Sequence, residues 1–194
     1  MTLYGIALYL HILAAIGIIG GSCLEQYIHM RMHRARTLDT LKEWLGAGRT
    51  ISKLMPIFAL SLLIFGTYMT FARWGWQQPW ILVSLGLLIA ISIASPLLLA
   101  PNMRALGKAV VSGASLSDIA TLLADPVSNI AGGVFTVVSL AIVLLMVMKP
   151  PLMPTFIIVV VAAVIGVFVG WPKAQAHAAA PEPIGAETSA GRAR

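Results

Sequence analysis

Five apolar runs without a single Asp, Glu, Lys or Arg constrain this chain most: Leu3–Leu24, Leu54–Ala72, Trp80–Ala100, Ile130–Met148 and Leu152–Trp171. A helix needs roughly 20 mainly apolar residues to cross about 30 Å of hydrocarbon. Inside lipid only helices and closed barrels satisfy every backbone polar group. The runs predict an all-α bundle of five transmembrane helices, a four-helix core plus one C-terminal span. Composition agrees, because 10% charged residues cannot cover a soluble domain, which carries roughly 25%. Lipid is therefore the first partner of this protein.

The placement of charge orients the spans. Arg31, Arg34, Arg36, Lys42, Arg49 and Lys53 lie in the first loop, Arg104 and Lys108 in the third, and Lys173, Arg192 and Arg194 in the tail. Only Arg73 and Lys149 lie in the second and fourth loops. Basic residues collect on the cytoplasmic side, which puts the N-terminus outside and the C-terminus in the cytoplasm. Trp74, Trp76 and Trp80 then gather at the outer interface, where amphipathic rings prefer to sit. The net charge of +6 belongs to this asymmetry, and no basic patch with interleaved aromatics points to nucleic acid. The first run lacks the basic n-region and short apolar core of a cleaved leader and reads as retained. Cys23 is the only cysteine, which excludes an internal disulfide.

The loops have structure of their own. Leu38, Leu41, Trp44 and Leu45 recur at helical spacing, with Thr40 and Glu43 as a capping box and Gly46 and Gly48 as stops. This predicts a short amphipathic helix on the inner leaflet. A second one carries Ile119, Leu122 and Leu123, capped by Ser115 and Asp118 and ended by Asp125-Pro126. Pro96 predicts a kink in the third span, with Ser92 and Ser95 placed to repair the freed carbonyl. Residues 172–194 have no apolar period and read as a disordered tail. Gly17 and Gly21, and Gly166 and Gly170, form small-xxx-small pairs, which let helix backbones approach closely. They serve packing inside the bundle, or offer a surface to a homo-oligomer or a larger membrane complex.

At 100° per residue, Tyr4, His11, Ser22, Glu25, His29 and His33 fall on one face of a continuous first helix. His11 lies within the span, where an ionisable side chain is costly and faces the bundle interior. Thr67, Tyr68, Thr136 and Ser139 on other spans are candidates to hydrogen-bond it. As a cofactor ligand, His11 can hold haem only with a second axial group, and Met69 is the sulfur nearest in depth. Glu25, His29 and His33 have the i, i+4 spacing of a metal set for zinc or copper. Against it, Arg31, Arg34 and Arg36 crowd the same segment, and the simpler reading is a solvated helix end. No catalytic residue set accompanies these side chains, so the reading leans away from an enzyme.

Several stretches resemble a known family: LYLHILAAIGIIGG at the start, Arg36-Thr37-Leu38-Asp39, GTYMTFARWGW, LLLAPNMRAL and LLMVMKP. Over roughly residues 3–150 the chain resembles small bacterial predicted integral membrane proteins of unknown function. These are similar in turn to copper-resistance-D-like membrane proteins and HemJ-type protoporphyrinogen oxidases. The resemblance implies a four-helix bundle with a first-helix His tied to metal or haem chemistry, and here that residue is His11. The chain differs in having no second intramembrane His and in adding a fifth span and a tail. The functional expectation is a non-enzymatic membrane component handling a small solute or a metal. The alternatives are an accessory subunit of a larger complex and a haem- or quinone-linked redox protein.

Overall fold

A computed structural model describes the backbone of residues 2–175 and the side chains of residues 2–171. Six α-helices and no strand occur among the described residues: α1 Leu3–His33, α2 Leu38–Met69, α3 Pro79–Val111, α4 Leu116–Leu123, α5 Pro126–Met148 and α6 Leu152–Gln175. Five of them, all but α4, are long and apolar enough to cross a membrane, so the protein is a multi-pass helical bundle in contact with lipid. The expected tail lies mostly outside the described residues; α6 continues past Trp171 to Gln175.

Helix length explains the first departure from expectation. The 31, 32 and 33 residues of α1, α2 and α3 make rods of about 45–50 Å at 1.5 Å per residue. These overshoot the hydrocarbon by about 15 Å, and the excess lies at the end rich in Arg and Lys. There Ile28, Met32, Leu41, Leu45, Leu106, Val110, Ile119 and Leu123 form one buried cluster. Leu38–Leu45 is thus not a separate helix on a leaflet but the first two turns of α2, turned inward. Gly46 and Gly48 do not stop it, because a helical glycine costs only about 1 kcal/mol against alanine, and Leu41 and Leu45 are buried on the far side of them.

The caps follow the same correction. Thr37, rather than Thr40, is the N-cap of α2, its hydroxyl accepting from the Thr40 amide at 3.2 Å. Ser115 does cap α4, accepting from the Asp118 amide, but Ile119 and Leu123 face the cluster rather than a membrane surface. Asp125 then caps α5 through the Ser128 amide at 2.9 Å, with Pro126 in the first turn where its missing N–H is harmless.

Within the membrane α1 pairs with α2, α5 with α6, and α3 leans on α5. The glycine pairs, open in the sequence to bundle packing or to a partner, are covered by this chain itself. A Cβ on Gly17 would lie 2.6 Å from the Phe58 ring, and one on Gly21 2.5 Å from the Met55 sulfur. Gly166 and Gly170 seat α6 against the α5 backbone at Gly133–Val134 and Asn129–Ile130. The outer face of α6 carries Met153, Phe156 and Phe168, more than half exposed; lipid is the solvent that such a face matches. Helix α3 runs unbroken through Pro96 and Pro101. Ser92 donates to the Leu88 carbonyl at 2.7 Å instead of repairing the carbonyl that Pro96 leaves free.

At the opposite end the aromatic residues hold both loop cations. Lys149 lies over Trp74 at 4.3 Å, and Arg73 over Tyr4 at 5.6 Å. Trp74 meets Trp80 edge to face, and Trp80 is buried. Trp74 and Trp80 thus close this end of the bundle.

Candidate functional site

The paired helices do not close upon each other. Between α1, α2, α3 and α5 lies a cavity of about 1080 Å³, at the upper end of the roughly 300–1,000 Å³ typical of small-molecule sites. Most of its wall is apolar, for example Ile18, Leu63, Leu88 and Phe135. Trp74, Trp76 and Trp80 line one end, and Glu25, Arg49, Lys53 and Arg104 line the other. The α1 stripe is distributed along it: His11, Ser22, Glu25 and His29 line the cavity, whereas Tyr4 lies beneath Arg73.

Two polar atoms of this wall are buried without a hydrogen-bond partner among the described residues, His11 Nδ1 and Ser84 Oγ. Ser84 is 1% exposed. An orphaned buried polar group costs about 1–3 kcal/mol, and either side chain recovers a bond by turning toward a ligand in the cavity. The His11 ring lies beside the Leu62 carbonyl of α2, in space left by Gly66, where a Cβ would come within 3.1 Å of His11 Cε1. Two partners that the sequence offered are turned elsewhere. Thr136 donates to the Gly132 carbonyl and accepts from Gln26, and Ser139 donates to the Phe135 carbonyl.

Near the basic end, two of the residues singled out in the sequence come together and the third does not. His33 Nε2 lies 3.2 Å from His29 Nε2, and His29 Nε2 lies 2.7 Å from Asn129 Oδ1. Glu25 instead accepts from Ser52 on α2 at 3.1 Å. No group of three His, Cys, Asp or Glu converges among the described residues. The Asn129 amide donates to the Leu123 and Asp125 carbonyls, both at 3.0 Å, which fixes Oδ1 toward His29. His29 therefore donates through Nε2–H, and His33 must present a lone pair there, since two facing N–H groups would repel.

Sequence reasoning passed over Asn129, Ser84, Gln26 and Asn102. Asn129 is 3% exposed, yet it sits in the first turn of α5, four residues past Asp125, where a span beginning at Ile130 treats it as loop. Ser84 and Gln26 gave no periodic signal; only the packing of other helices against them makes them matter. Asn102 lies in the extension of α3 and joins it to the next elements, donating to the Leu122 carbonyl and Ser128.

Residues 6–150 match the model of a family described as Predicted integral membrane protein (DUF2269). The chain belongs to this family. The matched region contains every helix that lines the cavity and ends before α6, so the cavity is a feature of the DUF2269 portion and α6 packs onto it from outside. No curated protein and no solved structure matches the chain. Nothing in these comparisons links it to copper-resistance-D-like or HemJ-type proteins.

Proposed function

We propose that this protein is a non-enzymatic component of a bacterial inner membrane that holds a small amphipathic solute in the cavity between α1, α2, α3 and α5. The observation that carries the reading is the cavity itself, a hollow of about 1080 Å³ with His11 on its wall and the Ser84 hydroxyl buried there without a partner among the described residues. Its apolar wall suits a hydrocarbon body. At the basic end Arg49, Lys53 and Arg104 outnumber Glu25, whose carboxylate is already engaged by Ser52, so the favoured head group is anionic. In the proposed orientation that end faces the cytoplasm, following the distribution of Lys and Arg.

The test uses the protein in nanodiscs and two fluorescent amphiphiles with the same chain, one ending in a carboxylate and one in a quaternary ammonium. The carboxylate probe binds saturably and the ammonium probe does not. Ala15→Trp, which places a ring in the cavity, abolishes the signal without loss of helical content. Equal binding of both probes, or binding indifferent to Ala15→Trp, refutes the reading.

A redox-cofactor reading has one observation in its favour: His11 and Met69 line the same cavity, and a His–Met pair is a recognised axial set for haem iron, where the bound group would carry electrons. The absorbance spectrum of the purified protein decides it, because haem gives a Soret band and its absence ends this alternative.

A further inference from the structure

We infer that His29, His33 and Asn129 form a binding site for a divalent transition-metal ion of the zinc class at the basic end of the cavity. This stands on a different observation from the solute reading and does not depend on it. Two imidazole nitrogens bound to one tetrahedral ion at about 2.0–2.1 Å lie about 3.3 Å apart. The Nε2 atoms of His29 and His33 are already 3.2 Å apart, one helical turn from each other on α1. Asn129 Oδ1, 2.7 Å from His29 Nε2, supplies a third donor from another helix. Its amide is pinned by the Leu123 and Asp125 carbonyls, so the oxygen is held in place by partners behind it, the arrangement that orients metal ligands.

Binding requires a small change. The proton that His29 shares with Asn129 moves from Nε2 to Nδ1, leaving the imidazole neutral and its Nε2 lone pair directed at the ion. His33 presents its lone pair already. No proton is released from the pair; the His29–His33 spacing already fits, and Asn129 Oδ1 withdraws from 2.7 Å to about 3.3 Å from His29 Nε2 to admit the metal. Nitrogen and amide oxygen donors suit a borderline ion such as Zn²⁺ or Co²⁺ better than a soft Cu⁺.

The basic surroundings that weigh against a metal in the sequence are weaker in the structure. Arg31 is drawn away, its guanidinium lying over Trp44 at 5.1 Å. Arg34, Arg36, Arg49 and Arg104 are exposed, where salt screens them over a Debye length of about 8 Å. Three neutral donors leave the ion its full charge and one coordination position open. His29 and Asn129 both line the cavity, so the open position faces it and takes a water molecule or an anion.

Cobalt(II) added to the full chain, purified in detergent with a tag that contains no histidine, tests the assignment. The expected result is the intense visible d–d band of a four-coordinate site, saturating at one equivalent and erased by Zn²⁺. His33→Ala, which leaves the His29–Asn129 bond intact, weakens cobalt binding by about tenfold or more while circular dichroism stays unchanged; His29→Ala does the same. No band at saturating cobalt overturns the site. So does a band that survives both substitutions, or one that vanishes only with His177→Ala in the tail. Protein stripped with EDTA still binds the carboxylate probe, so failure of one idea is distinguishable from failure of the other.

Discussion

Two regions of the same bundle, both built from apolar helices in lipid, are packed in opposite ways. Along α5–α6 the glycines bring backbone against backbone, and an added Cβ on Gly166 would fall 2.9 Å from the Val134 nitrogen. Between α1, α2, α3 and α5, side chains of ordinary size surround an open volume of about 1080 Å³. Lipid cannot be the cause of the difference, since both regions share it. Close packing is the main force joining helices where the surrounding tails are as apolar as the side chains, so a hollow forgoes stability that the seam shows to be within reach. The proposal reads that loss as the mark of a site, and the Ser84 hydroxyl, buried on its wall without a partner among the described residues, supports the reading.

The largest effect expected from breaking this contrast is at the seam. Gly166→Leu meets backbone that cannot yield, and the expected outcome is loss of the monodisperse peak in size-exclusion chromatography. At Gly17 the obstruction is the Phe58 ring, which can rotate, so Gly17→Ala lowers the melting temperature less than Gly166→Ala does. Equal losses would show that the two helix pairs are held alike.

The capping cluster sharpens the comparison next. Leu41 is 1% exposed and lies in the overshoot of α2 beyond the hydrocarbon. Leu41→Ala is expected to cost about 2–5 kcal/mol, the range for large-to-small changes in water-backed cores. Leu145, fully buried in α5, loses only packing when truncated, since its unfolded reference is lipid. Denaturation in mixed micelles checks the order; Leu145→Ala costing as much as Leu41→Ala would mean that the cluster is not backed by water.

The smallest effect on stability is predicted on the cavity wall. Ser84→Ala removes a buried hydroxyl that has no partner among the described residues, so stability is unchanged or slightly raised, whereas affinity for the carboxylate probe falls. A loss of stability comparable to Leu41→Ala would assign Ser84 a structural bond instead.

How much of this was legible in the sequence follows from which forces act locally. The five spans, the Ser115 cap and the shared face of His11, Ser22, Glu25 and His29 depend on apolar run length and a 100° period, both of which a single strand of text contains. The start of α2 departs from the sequence reading because Gly46 and Gly48 are weak stops that the burial of Leu41 and Leu45 overrides. The cavity could not be read at all: it arises from which helices pair. Asn129 meets His29 across 100 residues of sequence, and the replacement of Glu25 by Asn129 beside the histidines is a tertiary event.

The central claim, that the middle of the bundle is hollow and reachable, is tested most directly by thiol labelling in a Cys23→Ala background. Single cysteines are placed at Ser139, on the cavity wall, and at Ala162, 6% exposed in the core shared by α5 and α6. The account predicts that a small methanethiosulfonate reagent modifies Ser139→Cys in native membranes, that the carboxylate amphiphile slows it, and that Ala162→Cys stays unmodified. Equal protection of the two positions would contradict it.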